Sequence, residues 1–225
     1  TSLDAGRTLV TLAPEKVSLA TIDRLVNAGI IVSAGHTAAN YATVIAALDH
    51  GLRGFTHLFN AMPPLASREP GPVGAALDDR RSWSGIIVDL HHVSAASLRI
   101  AITAKGVDKM MLVTDAMSTV GSDLQEISLQ GRPIIRSGGR LTTPDGVLAG
   151  SDLDMATAVR NTVQRLGLRL EDALAMASRA PAAFLRLEGE LGRIAPGFRA
   201  NLVLLDQELQ VIETWIDGCT TSEAR

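Results

Sequence analysis

The sequence predicts an α/β fold, part of a (β/α)8 TIM-like barrel. Three observations carry this. Short apolar runs alternate with amphipathic segments, and two of those runs are almost continuous in apolar side chains, as in strands covered on both faces. Four of the first five runs also lead into a histidine or an aspartate, the residue types that α/β barrels present at the C-terminal ends of their strands.

The apolar runs extend from Thr8 to Ala13, Ile30 to Ala34, Gly54 to Phe59, Gly85 to Asp89 and Met110 to Thr114. Amphipathic stretches at 19–27, 41–49 and 95–105 lie between them. In the second of these, Val44, Ile45, Ala47 and Leu48 recur at helical spacing and Gly51 supplies a stop. This alternation points to βαβ units rather than a sandwich. After Asp115 the texture changes. Gly131, Gly138 and Gly139 separate β-rich pieces, which predicts a hairpin excursion over 126–143. Helices are expected again over 154–166, 170–178 and 181–187, with Pro181 in a first turn. Strands return over 200–205 and 210–216.

Five parallel strand units are too few to close an eight-stranded barrel. Either the sheet is open and doubly wound, or the other strands lie outside this sequence. Polar strand ends converging on one rim favour the second reading. The chain begins at Thr1 inside an apolar context, so upstream sequence is expected. Residues 1–191 are read as the partial barrel and 192–225 as a tail of strands.

Composition narrows the function. Hydrophobic residues make up 46% and charged residues 20%, the balance of a globular protein with a sizeable core. Aromatics are only 3%, so aliphatic side chains must fill that core. A net charge of -3 without a basic stripe argues against nucleic acid as a partner. No apolar run approaches the ~20 residues of a membrane helix. A single cysteine, Cys219, fits a reducing, cytoplasmic setting.

The candidate chemistry lies at the strand ends: His36, His57, His91 with His92, and Asp115. A lone strand-end histidine is more often structural, and Asp115 alone could cap a turn. His50, before Gly51, reads as a helix-end residue facing the macrodipole and nothing more. The set makes the case. Two histidines at successive strand ends followed by an aspartate suit a metal hydrolase, in which the ion lowers the pKa of bound water toward ~7 and a carboxylate moves the proton.

Specific motifs then narrow the class. SAGHTAAN at 33–40, THLFNAMPP at 56–64, SREPG at 67–71 and LVTDA at 112–116 resemble the N-acetylglucosamine-6-phosphate deacetylases, a family of amidohydrolases. TLAPE at 11–15, LAGSDLDM at 148–155 and GRIAPGFRANLVLLD at 192–206 follow the same family in order. The resemblance implies an amidohydrolase-type (β/α)8 barrel with a small β-sandwich appendage, to which 192–225 would contribute the C-terminal strands. It implies hydrolysis of the acetamide of N-acetylglucosamine 6-phosphate to glucosamine 6-phosphate and acetate. It also implies His36 and His57 as ligands of a divalent metal ion, zinc first, with iron or another divalent ion as alternatives. Asp115 is implied as general base and then acid. Asn60, Ala61, Arg68, His92, Leu148, Ala149 and Gly150 are implied as substrate contacts, with Arg68 pairing the sugar phosphate, since a guanidinium fork suits a phosphate. A homodimer is implied because the counterpart of Arg68 reaches a neighbouring subunit.

The chain departs from the family pattern in two places. The family has a glycine after the aspartate at the position of Asp89, where this chain reads Leu90-His91-His92, and His92 is favoured as the pocket residue. The family's glutamate ligand lies in an upstream His-Leu-Glu-Gly-Pro motif that nothing here matches, nor is there a match to its upstream carbonyl-polarising histidine. Two other readings stay open: a different amidohydrolase, dihydroorotase-like or acting on acyl amino acids, and a non-catalytic sugar-phosphate-binding module.

Overall fold

The computed structural model describes residues 6–220. Its centre is a five-stranded sheet of β1 (Leu9–Leu12), β2 (Ile31–Ala34), β3 (Gly54–Phe55), β4 (Trp83–Ile87) and β5 (Met110–Val113). All neighbours are parallel, and the strands lie in chain order from β1 to β5. The order never reverses, so this sheet lacks the switch point of a doubly wound fold.

Three of the helices predicted between strands form at the expected residues: α1 (Leu19–Asn27), α2 (Tyr41–Asp49) and α4 (Ala95–Lys105). Each starts at a side-chain cap, Ser18, Asn40 or Ser94, which accepts the N–H of Thr21, Thr43 or Ser97. A further helix, α3 (Gly71–Asp78), was not expected. It holds two glycines and a proline, and Gly71 through Ala76 are all buried, so no amphipathic period marks it. Pro72 is tolerated because the first turn has no intrahelical use for its missing N–H.

Strand alternation sorts the core. Val32, Ala34, Phe55, Ile86 and Leu112 belong to the large cluster shared with the helices. Ile31, Trp83 and Met111 form a second cluster with Ala180 and Phe184 of α7 (Arg179–Phe184). Gly54 is glycine because a Cβ there would stand 2.6 Å from the Phe184 ring. Arg53 fixes α7 by donating from Nε to Phe184 O and from Nη2 to Ala183 O, both at 2.9 Å. Both Arg53 and Lys109 lie over the Trp83 ring, at 4.2 and 3.2 Å from its centroid.

Lys105 on α4 is buried and donates from Nζ to Ala76 O at 2.6 Å, to Ser82 Oγ at 2.9 Å and to Asp79 O. Burial pulls its ammonium down to about 8, opposed by the nearby charge of Asp79. The side chain thereby caps the carbonyls at the end of α3. Lys105→Met would leave two carbonyls and a hydroxyl without that donor, and denaturant titration is expected to show a loss of ~1–3 kcal/mol.

The excursion is a three-stranded antiparallel sheet, β6 (Glu126–Leu129), β7 (Arg132–Ser137) and β8 (Arg140–Thr142). It is followed by α5 (Met155–Gln164), capped by Asp154, and by α6 (Leu170–Ala177). The tail forms a third sheet from β9 (Leu202–Leu205), β10 (Val211–Ile216) and β11 (Cys219–Thr220), which leaves Val203, Leu204, Val211, Ile212 and Ile216 exposed. Among the described residues, no helix is long and apolar enough to cross a membrane. His50 does more than face a helix dipole: its Nδ1 meets Asp23 Oδ1 at 2.8 Å, joining α2 to α1.

Candidate metal and proton-transfer site

The strand ends hold their side chains through unusual backbone. β3 is shorter than its apolar run because the chain leaves extended geometry after Phe55, with φ of 33° at His57 and 80° at Phe59. His36 (51°), Ala61 (51°), Leu90 (65°) and Asp115 (52°) share the left-handed region. Such residues cost on the order of 1–3 kcal/mol each and cluster at functional sites. Here they follow β2, β3, β4 and β5, on the rim the sequence pointed to. Leu90 occupies the position where a glycine would adopt this φ freely.

His36 and His57 meet there. Their Nε2 atoms are 3.2 Å apart, their ring centroids 4.6 Å apart, and their planes are at 88°. Two nitrogens on one tetrahedral ion at ~2.0–2.1 Å would be separated by roughly 3.3 Å, so the pair fits a shared divalent metal. Burial pulls the His57 imidazole below its ordinary value; His36 adds to this, while Asp115 and local hydrogen bonding oppose it. That favours the neutral ring, the form that ligates. Among the described residues no group of three or more His, Cys, Asp or Glu is placed to hold a metal.

Asp115 lines the same cavity as His57, a space of about 140 Å³ that also touches Ser33, Thr56, Gly85 and Val113. In its wall, a hydroxyl row runs from β1 and β2 to the residue after β3, with Thr56 Oγ1 at 2.8 Å from Thr11 Oγ1 and 2.9 Å from Ser33 Oγ. The backbone at Asp115 is held by a second segment. Asp115 O accepts Ser151 N–H at 2.8 Å, Met117 N–H donates to Ser151 O at 3.0 Å, and Ser151 Oγ donates to Thr114 O. A Cβ on Gly150 would stand 3.2 Å from Asp115 O, so Gly150 lies beside the carboxylate's strand end, while Leu148 and Ala149 pair with Thr142 and Leu141.

The other sequence-predicted residues are placed as follows. Asn60 donates from Nδ2 to His57 O at 3.2 Å, closing the turn that presents His57, and Ala61 follows it exposed. Arg68 stands exposed on the loop after it, without a hydrogen-bond or ion-pair partner among the described residues. Its neighbour Glu69 fastens that loop, accepting Tyr41 N–H at 2.7 Å and Gly71 N–H at 3.0 Å through Oε1.

His92 is buried with Asp89, each side chain 7% exposed, and its Nδ1 is 2.6 Å from Asp89 Oδ2. Burial pushes the Asp89 carboxyl up, but His92 and the N–H groups of His92 and His91 outweigh it and hold it at about 2. In a neutral ring, a carboxylate on Nδ1 fixes the proton there and leaves Nε2 as an acceptor. His91 turns to the excursion instead, where Arg140 Nε donates to its Nδ1 at 3.1 Å.

Sequence reasoning missed three supporting residues: Asp89, Ser151 and Glu15. Glu15 accepts from Thr37 Oγ1 at 2.5 Å and Ala38 N–H at 2.9 Å, immediately after His36. Asp89 left a spacing signal, Asp-x-x-His, while Glu15 and Ser151 stood in the TLAPE and LAGSDLDM motifs without any sign of their role.

Comparison with known proteins follows this geometry. The chain is 47% identical over 215 residues to N-acetylgalactosamine-6-phosphate deacetylase of Shewanella sp. (strain ANA-3), covering 96% of this chain and 54% of that protein. Among solved structures, N-acetylglucosamine-6-phosphate deacetylase from Pasteurella multocida superposes with a TM-score of 0.92 at 36% identity, over 95% of this chain and 56% of that one. A mutant of the Mycobacterium smegmatis enzyme in complex with N-acetyl-D-glucosamine-6-phosphate gives 0.88 at 38% identity, over 94% and 57%. The chain thus spans about half the length of the relatives it matches. The amidohydrolase family model matches residues 4–221, nearly the whole sequence, and on that match the chain belongs to the amidohydrolase family.

Proposed function

We propose that this chain, within its full-length protein, removes the acetyl group of N-acetylglucosamine 6-phosphate, releasing acetate and glucosamine 6-phosphate. The observation that carries this reading is the His36–His57 nitrogen pair at 3.2 Å, with Asp115 lining the same cavity as His57. A divalent ion held by His36 and His57, zinc first and iron or another as alternatives, would supply Lewis acidity to water and to the acetamide carbonyl. A carboxylate from outside this chain is expected to complete its ligands.

The Asp115 carboxylate takes the proton from water as its oxygen attacks the carbonyl carbon, then returns it to nitrogen as the C–N bond breaks. His92 accepts a sugar hydroxyl at Nε2. Asn60 and Ala61 contact the substrate, and Leu148, Ala149 and Gly150 line its pocket. Arg68, exposed and without a partner among the described residues, pairs the 6-phosphate across a homodimer interface.

The architecture proposed with this function places residues 1–191 as part of a (β/α)8 barrel, supported by five parallel strands in unbroken order, and 192–225 as the C-terminal strands of a small β-sandwich. The terminal stretches of those two units, 1–5 and 221–225, lie outside the described residues. A cytoplasmic location accords with the lone exposed cysteine.

One finding favours a second substrate, the C4 epimer. The 47% identical relative is named for N-acetylgalactosamine 6-phosphate, against 36% and 38% for the two solved glucosamine-type structures. Acetate release from both epimers, each with and without the 6-phosphate, tests both readings; no release from either would refute both. In the same assay, Arg68→Gln is expected to raise KM about ten- to hundredfold for the phosphorylated sugar and barely for the unphosphorylated one, as loss of a charge-assisted fork predicts. Equal losses on the two would make Arg68 structural.

A further inference from the structure

The sheet of β6, β7 and β8 is inserted between Asp115 and the Leu148–Gly150 loop, and its contacts fall on the site-bearing loops. On β7, Arg136 donates from Nε to Asp152 Oδ2 at 2.7 Å and from Nη1 to Ser122 O at 2.8 Å. Asp152, its side chain 7% exposed, directly follows Ser151, the residue whose N–H, carbonyl and hydroxyl hold residues 114–117. Ser122 belongs to the segment that leaves Asp115. One planar guanidinium therefore ties together both chains that fix the Asp115 backbone. β8 continues the contact: Leu141 O accepts Ala149 N–H at 3.1 Å, Thr142 bridges Leu148, and Arg140 reaches His91.

We propose that Arg136, acting through Asp152, is a positioning residue for Asp115, and that the inserted sheet is a bracket for the proton-transfer geometry. The inference rests on the deacetylase reading given above. A non-glycine residue at φ 52° persists only where its surroundings over-determine it, and the Ser151 ladder is what does so at Asp115. Asp152 Oδ1 is buried without a partner among the described residues, so Arg136 is the cation that keeps this carboxylate inside. Without Arg136 the buried charge is uncompensated. Asp152 then moves toward water and draws Ser151 away from Asp115. A lysine keeps the charge but lacks the rigid fork that spans Asp152 Oδ2 and Ser122 O; a glutamine lacks the charge.

The test uses the full-length, metal-loaded protein. Arg136→Gln is expected to lower kcat about ten- to hundredfold, the usual effect of losing a residue that orients a catalytic group, with KM and metal content as in the parent. Arg136→Lys should recover part of kcat. Arg136→Gln combined with Asp152→Asn should fall no further than the worse single variant, because the two act as one unit. Amide hydrogen exchange at Ser151 and Met117 should quicken in Arg136→Gln while amides of β2 and β4 keep their protection. That readout needs no turnover: quicker exchange confined to Ser151 and Met117 supports the bracket even if no N-acetylhexosamine phosphate is hydrolysed, which would sink only the functional reading. Unchanged kcat, a change in KM alone, or exchange rising equally across the central sheet would overturn the proposal.

Discussion

Asp115→Asn in the full-length protein is expected to lower kcat at least ~10²-fold, the low end of what a positioned acid–base group contributes. The argument begins with β5. Met110, Met111 and Leu112 are buried, so the strand is anchored on both faces and delivers residue 115 to a fixed place. The left-handed turn at Asp115 and the Ser151 ladder then hold the carboxylate beside the cavity it shares with His57. Asparagine matches aspartate in shape and keeps an acceptor oxygen, so packing, metal content and KM should stay close to the parent. It cannot take a proton from water, and that is the step removed. Steady-state kinetics with metal analysis on the same preparation checks this, and near-normal kcat with metal bound would end the proton-transfer role.

How much of this was legible in the sequence depends on whether the signal is local. α1, α2 and α4 were readable to their ends because each combines helical spacing with a Ser or Asn cap one residue before it. α3 was invisible because a helix buried on all sides carries no period, and its glycines and proline read as loop. The run after Gly54 read as one strand, yet His57 and Phe59 break it with positive φ, which no apolar pattern reveals.

The metal pair was legible as two strand-end histidines, but their approach to 3.2 Å depends on β2 and β3 lying side by side, a pairing set by the whole sheet. Ser151 and Asp152 stood inside the LAGSDLDM motif without any sign of their role, and Arg136 left no mark, since their contacts cross from one segment to another and sequence periodicity is silent on those. Between His91 and His92, the sequence favoured His92 on position alone. The structure adds a reason for the difference, because Asp89 holds one ring inside while Arg140 draws the other toward the excursion.

His36→Ala and His57→Ala should each lose metal and activity together, and the two differ in a way that separates ligation from packing. Removing one of two nitrogens that face each other at 3.2 Å leaves an ion one protein ligand fewer, and the loss should exceed the ~10–100-fold typical of residues that merely support a ligand. His36 is exposed, so its truncation opens no cavity and the metal-free protein should melt as the parent does. His57 is 6% exposed and lies against the cavity wall, so its truncation should also lower the melting temperature of the metal-free protein through lost packing. Metal should raise the melting temperature of the parent, since an ion that binds only the folded state stabilises it, and this increment should vanish in both variants. Full metal occupancy in His36→Ala, the cleaner of the two, would remove the histidine pair from the metal site whatever happened to activity.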